Sequence, residues 1–564
     1  MNLKNCYNSI LLGKIIMIFF KSISMKQYYW LAIVFLFSCV NQLSIDDAEK
    51  LISYDKIASD ILVLASDSLA GRAPFTPGEE KTLRFLKNRM QLIGLEPAFN
   101  GDYFQEVPLV EITSKSPNEI FVKSKKGRFL LKIGSGSTFW SPSLSNNINI
   151  ENSELIFAGF GINAPEWNWN DFKNIDLAGK TIIVLVNDPG FHSANSSLFN
   201  GKSMTYYGRW RYKFEEAEKQ GAAGCIIIHE DEAAGYPWSV VDGRSSRSDF
   251  YLDNENINNN TCRLNGWISK ENAIELFAFC GLDYEKMKLL ACTPGFKPMP
   301  MAAKYSITIE NQWTKFTSFN VGGIIRGTEA PNEAIVYTAH WDHLGIGAKI
   351  NGDSIYNGAS DNAAAVAWML SIAEAFKSLG SAPKRSILFL SPTTEEAGML
   401  GSQYYVENPV FSIEKTVACF NSDVIMFLGS FKDVTVTGLG HSELDVLLEK
   451  EAAKQGRYIC NDPNPENGMF YRSDQLPFLK AGVPSLFAKG YSHQVEMGRE
   501  KTLLAVEEYW RTTYHKPSDE YLPNVHKLDG LVDDTKLFFR LGYTISNSTH
   551  FPKWNKESEF FVER

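Results

Sequence analysis

The chain has 564 residues, 44% of them hydrophobic and 21% charged, with a net charge of −9. That length allows about two to four domains, and the composition is globular rather than disordered. An acidic balance with no long basic run argues against nucleic acid as a partner, and eight scattered cysteines without a CxxC pair argue against a thiolate metal site.

At the N-terminus, Met25-Lys26 leads into the apolar run 31–37, which ends in Ser38-Cys39. This pattern predicts an export signal closing on a lipoprotein-type box, with Cys39 as the lipidated first residue of the mature chain; an uncleaved anchor is the alternative. The run is too short to span a bilayer comfortably. An earlier apolar patch, 10–20 broken by Lys14, leaves Met1 and Met25 both open as the start. Either reading exports the protein to the cell envelope, periplasm or exterior; in the lipoprotein reading the membrane is reached only through Cys39.

Apolar residues at helical spacing follow over 45–66, and a second helix is expected over 78–93 with Gly94 as its stop. The segment between them, 64–72, reads as a loop without a chemical role. From 115 to 305 the character changes. Asn and Ser clusters punctuate short apolar strands at 155–161, 181–186 and 225–228, with a helix near 208–220. Glu230-Asp231-Glu232 reads as a solvated turn, and the aromatics of 203–214 as core or interface packing. Cys225 and Cys419 read as core residues, while Cys262, Cys280 and Cys292 leave pairing open. From 319 onward strands alternate with helices expected at 361–379, 441–455 and 527–548. That alternation predicts an α/β fold with a mainly parallel mixed sheet covered on both faces. The expected organisation is a signal segment over 1–39, the first part of a catalytic domain over 40–114, an insert over 115–305 and the main catalytic domain over 306–564.

Three apolar runs end in metal-ligand residue types: 334–339 before His340, 387–391 before Glu395 and Glu396, and 416–421 before Asp423. In an open α/β sheet, sites lie just beyond the carboxyl ends of the strands, so these ends should converge. The motifs His340-Trp-Asp342, Ser360-Asp361-Asn362, Glu395-Glu396, Asn421-Ser-Asp423 and Tyr514-His515-Lys-Pro-Ser-Asp519 occur in one order and at spacings that resemble the dizinc aminopeptidase family. Its relatives include glutamate carboxypeptidases, glutaminyl cyclases and transferrin-receptor-like proteins. The resemblance covers roughly 46–110 and 305–550, and the insert resembles a protease-associated domain with a β-rich α/β order.

The resemblance implies two Zn2+ ions: His340, Asp361 and Asp423 on one, and Asp361, Glu396 and His515 on the other, with Asp361 bridging. It makes Glu395 the general base acting on a metal-bridging hydroxide, and Asp342 the support of the second nitrogen of His340. Tyr471, Ser473 and Asp474 resemble a substrate-side loop, where Tyr471 either lines the pocket or packs beneath the loop. Gln475 departs from the histidine common at its position. His343 falls outside the ligand pattern and reads as a packed or capping histidine, whereas Asp519 either supports a ligand or caps a turn. The implied function is a secreted or lipid-anchored zinc exopeptidase acting on peptides, foremost an aminopeptidase. The alternatives are a carboxypeptidase or dipeptidase of glutamate-carboxypeptidase type, a glutaminyl cyclase, and a non-catalytic receptor-like protein. Arg209, Arg211 and Arg472 are the basic residues available for an acidic substrate, and no sequence signal selects among them.

Overall fold

The computed structural model describes residues 43–563, apart from 194, 196, 244–246, 255, 256 and 258–260. The export segment expected at 1–39, with Cys39, lies outside the described residues. Among the described residues no helix is long and apolar enough to cross a membrane.

The helical run expected over 45–66 is two helices, Ile45–Glu49 and Tyr54–Leu64, parted before Ser53, whose extended backbone caps the second. The helix Pro77–Ile93 starts on Pro77 with the Thr76 side chain accepting from Gly78 N, and stops at Gly94 in the left-handed region (φ 83°). Arg89 makes a two-pronged pair with Asp60, at 2.8 and 2.9 Å, and locks these two helices together.

The main sheet runs in the order Phe104–Lys115, Met299–Ile325, Arg385–Ser391, Ala330–Thr338, Thr416–Asn421, Ser485–Lys489, Asp433–Thr437 and Tyr458–Asn461. Its four central strands, Arg385–Ser391 to Ser485–Lys489, are mutually parallel; the antiparallel pairings lie on either side of them. Central strands are apolar on both faces, because both are covered. Ile335 and Tyr337 face the helices Tyr54–Leu64, Pro77–Ile93, Ala364–Ser378 and Asp529–Ser546, while Ala334 and Val336 face Tyr405 and Phe478 of Leu400–Glu407 and Gln475–Lys480. The Tyr337 hydroxyl donates to Phe538 O at 2.8 Å, and Gly542 leaves it room, since a Cβ there would stand 1.7 Å from that oxygen.

The insert carries its own parallel strands, Asn147–Phe157, Thr181–Leu185, Gly224–His229 and Leu264–Ser269, in that order. The strand Met299–Ile325 crosses the expected 305/306 boundary without a break. Its first half pairs with Asn147–Phe157, and its last residues pair with Arg385–Ser391, so one strand stitches both sheets. Glu230 is not solvated as expected: it is paired with Lys288 at 2.5 Å and Lys270 at 3.3 Å, and it accepts from the Tyr284 hydroxyl. The aromatics Tyr206, Tyr207 and Tyr212 pack on one another at the seam with the main sheet's loops, where Tyr206 meets Tyr471. The six cysteines among the described residues are free thiols, including Cys262, Cys280 and Cys292.

Candidate metal centre

The strands Arg385–Ser391, Ala330–Thr338 and Thr416–Asn421 are adjacent and parallel, so their carboxyl ends open side by side. His340, Glu395, Glu396 and Asp423 stand just past those ends. Asp361 does not begin a helix: its backbone is extended (φ −116°, ψ 91°), and the helix starts at Ala364. His515 arrives from the turn after the helix Gly498–Thr512, with φ 56°.

These side chains meet. His340 Nε2 lies 3.3 Å from Asp423 Oδ1 and 3.4 Å from Asp361 Oδ1. His515 Nε2 lies 3.2 Å from Asp361 Oδ2 and 3.1 Å from Glu396 Oε2. The two oxygens of Asp361 thus face two different donor sets. His343, expected outside the site, puts Nδ1 2.7 Å from Glu396 Oε1, so Glu396 is held between two imidazoles. His340, Asp361 and Asp423 can offer ligand atoms within 4.8 Å of one another, as can His343, Asp361 and Glu396.

Glu395 is buried with its Oε2 3.9 Å from His340 Nε2. Burial pushes its carboxyl well above the usual range, and the charges of Asp423, Asp474 and Glu396 reinforce this against the pull of His340. Burial would raise Glu396 too, but His515 and His343 hold it well below the usual range. The adjacent acids part because only Glu396 touches imidazoles directly. Burial opposes charge on His340, yet Asp423, Glu395 and Asp361 keep its imidazole well above the normal range; Glu396 and Asp361 do the same for His515.

The donor set fits divalent zinc. Imidazole nitrogen and carboxylate oxygen are its ordinary ligands. Asp342, Asp361, Glu395, Asp423 and Asp474 are buried together. A cluster of buried carboxylates is stable only when cations neutralise it. His515 Nε2 is buried and aimed at two carboxylate oxygens without making a hydrogen bond, as a metal ligand's nitrogen would be.

Neighbouring groups fix the loops. The buried Arg72 guanidinium donates to Trp341 O, Leu64 O, Asn357 O and Gly358 O at 2.5–2.9 Å. It ties the His340 loop to the loop before Asp361, so the 64–72 segment is part of the site after all. No local pattern distinguishes a buried arginine of this kind from an exposed one. Asp519 accepts from Ser360 N and Asp361 N, both at 3.1 Å, and so supports a ligand loop rather than capping its own turn. Lys489 donates to Asp423 O, and to Val424 O at 2.6 Å. Tyr514 stacks on His515 with ring centroids 3.8 Å apart.

Asp342 is used differently from the expectation. Its backbone carbonyl, not its carboxylate, meets His340 Nδ1 at 3.0 Å. The carboxylate is engaged by Glu395 N at 3.1 Å and Glu396 N at 3.4 Å, which leaves it 3.8 Å from the ring. Tyr471 packs beneath its loop: its hydroxyl donates to Glu559 at 2.6 Å and its ring meets Tyr206, Phe470 and Phe560. Ser473 and Gln475 both accept from Asn421 Nδ2, while Asp474 accepts from Ser402, so this segment braces the strand end below Asp423. A cleft of about 490 Å³ opens over Glu396 and His343, walled by Phe75 and Leu344 and by Trp210, Arg211 and Phe250 of the insert. Arg211 donates to Gly398 O at 3.0 Å, where glycine leaves it space: a Cβ would lie 1.8 Å from its Nη2.

Residues 320–528 match the model of Peptidase family M28. Among curated proteins the chain is similar to aminopeptidase NAALADL1 of Mus musculus, with 32% identity over 142 residues, 24% of this chain and 18% of that protein. It is also similar to the glutamate carboxypeptidase 2 homolog of Caenorhabditis elegans, with 24% identity over 527 residues, 79% of this chain and 64% of that one. The matches to the mouse and rat aminopeptidases span only 18% and 22% of those proteins. Among solved structures, the aminopeptidase from Aneurinibacillus sp. strain AM-1 aligns over 89% of this chain and 95% of its own, at 16% identity and a TM-score of 0.46.

Proposed function

We propose that this chain, whose residues 320–528 match the model of Peptidase family M28, is a zinc-dependent aminopeptidase that releases the N-terminal residue of peptides. The observation that carries the reading is the two-sided Asp361 carboxylate, with His340 and Asp423 on one side and His515 and Glu396 on the other. His340, Asp361 and Asp423 would hold one zinc ion, and Asp361, Glu396 and His515 the second, while His343 secures the other oxygen of Glu396. When bound, such a pair lowers the pKa of water and polarises the scissile carbonyl. Glu395 lies beside this cluster, its backbone N–H fixed by Asp342 and its Oε2 making no hydrogen bond among the described residues. Glu395 takes the proton of the attacking water and returns it to the departing amine. The insert, of protease-associated type, walls the cleft with Trp210, Arg211 and Phe250. The apolar run before Cys39 supports an exported, lipid-anchored enzyme.

A carboxypeptidase is the second reading, favoured by the match to the glutamate carboxypeptidase 2 homolog over 79% of the chain. Rates on aminoacyl-amides and on the same compounds N-acetylated, with and without chelator, separate the two. Chelator-sensitive cleavage of the free-amine set alone is expected. Turnover of N-blocked peptides with free acidic C-termini, and not of the free-amine set, would replace the aminopeptidase with the carboxypeptidase.

A further inference from the structure

The insert has a strand-end opening of its own. Its strands Thr181–Leu185, Gly224–His229 and Leu264–Ser269 are adjacent and parallel, and His229 and Ser269, the last residues of two of them, stand opposite one another in register. A cavity of about 580 Å³ lies at these ends. Ligands of open α/β sheets bind at such ends, in pockets of roughly 300–1,000 Å³. The cavity shares no lining residue with the cleft over Glu396.

The free groups on its wall accept positive charge rather than supply it. His192, from the short helix Pro189–His192, and His229 both line it, and each has a buried Nε2 with no hydrogen-bond partner among the described residues. His229 Nδ1 faces Asp231 Oδ1 at 3.3 Å, which draws the ring proton to that side and leaves a lone pair on Nε2. Burial lowers both imidazoles, His192 to about 4, so both are neutral at pH 7. The two lysines on the wall, Lys288 and Lys270, are already paired with Glu230 at 2.5 and 3.3 Å. Glu232 and Glu271 are exposed and make no ion pair among the described residues. Four carboxylates, Glu230, Asp231, Glu232 and Glu271, thus stand against two ammonium groups. Phe191 and Trp238 add aromatic faces, and the His229 ring lies 5.5 Å from the rings of Tyr236, Trp238 and Trp267.

This wall selects among ligand classes. An anion meets a net negative surface. A bare metal ion finds no cage, because among the described residues no three His, Cys, Asp or Glu of this wall bring ligand atoms within 4.8 Å of one another. A cation carried on an apolar stem suits all the free groups at once, since aromatic faces, carboxylates and imidazole lone pairs each attract it.

We infer that the insert carries a second, non-catalytic binding site, at the carboxyl ends of its parallel strands, for an organic cation: an ammonium or guanidinium group on an apolar stem. Glu232 and Glu271 balance its charge, and Phe191 and Trp238 pack on its stem. The cation is either a basic side chain of a peptide or a free α-amine. The inference does not depend on which peptide bond the metal centre cleaves.

The test is calorimetry on the full zinc-loaded protein with three ligands built on one six-carbon chain. N-acetyl-lysine-amide is charged only on its side chain, norleucinol only at its α-amine and without a scissile amide, and N-acetyl-norleucine-amide is uncharged. At least one charged ligand is expected to bind about tenfold or more tightly than the uncharged one, and which one does so identifies the source. In Trp238→Ala, and in the double variant Glu232→Gln with Glu271→Gln, that advantage should fall below about twofold, with zinc content and any turnover of aminoacyl-amides at the wild-type level. Equal affinity for all three ligands overturns the inference. So does a charged ligand whose affinity is the same in the wild type and in both cavity variants, because it then binds elsewhere, as at the metal centre.

Discussion

Asp519 offers the sharpest probe of how the metal donors are held. Its two oxygens accept the N–H groups of Ser360 and Asp361, each at 3.1 Å, in a site where Asp519, Ser360 and Asp361 are all buried. Asp519→Ala leaves two buried donors unpaired, each costing about 1–3 kcal/mol, so a loss of about 2–6 kcal/mol is expected, less whatever water recovers. Asp519→Asn keeps one acceptor and turns an amide NH2 toward the other N–H, so roughly half that loss is expected. The damage falls on the loop that aims Asp361, the residue shared by both donor sets. Groups that orient metal ligands typically change affinity about 10–100-fold. Zinc per chain against a competing chelator, beside urea unfolding, measures both effects. Asp445→Asn is the control: Asp445 is a buried acid accepting from Gly440 N at 2.8 Å, with no bond to a metal-donor loop among the described residues, and it should lower stability while sparing metal affinity. Wild-type zinc affinity and an unchanged unfolding midpoint in Asp519→Ala would refute the reasoning.

Glu395→Gln should lower kcat by about 10²–10⁴-fold with both zinc ions retained, since it removes a proton acceptor and no donor atom; loss of zinc in this variant would make Glu395 a ligand instead. Chelation should abolish turnover and lower the melting temperature, because the carboxylates around Asp361 lose their neutralising charge; an unchanged melting temperature would speak against a metal in this cluster. Arg72→Met should destabilise the fold by about 3–5 kcal/mol in urea titration, as it strands four buried carbonyls at once; a loss below about 1 kcal/mol would mean that water replaces the guanidinium readily. Gly398→Ala should expel Arg211 from the carbonyl it holds and raise KM or lower kcat, while the strain of an alanine at φ 123° lowers the unfolding midpoint; unaltered kinetics would remove Arg211 from the cleft's working parts.

The central sheet and the donors at its strand ends were legible because each leaves a local mark. An apolar run buried on both faces is continuous in the chain, and a ligand at its end is its next polar residue. The helix Gly498–Thr512 was missed because only Thr502 and Val506 are buried on it, too few to print a periodic apolar face. Asp342 and Tyr471 were placed by motif alone. Their partners, the amides of Glu395 and Glu396 and the carboxylate of Glu559, are distant in sequence and carry no signal at the motif itself.

By itself the sequence determined the α/β order, the interruption by an insert, and the identities and sequence order of His340, Asp361, Glu395, Glu396, Asp423 and His515. Those features follow from hydrophobic periodicity and residue chemistry, which are properties of neighbours along the chain. Only the tertiary structure decided that Asp361 turns its oxygens to two separate donor sets, that Arg72 and Asp519 clamp the ligand loops, and that His343 joins Glu396. Each of these is a meeting of segments roughly 20 to 290 residues apart, fixed by burial and hydrogen bonding across the fold, and no local motif contains both partners.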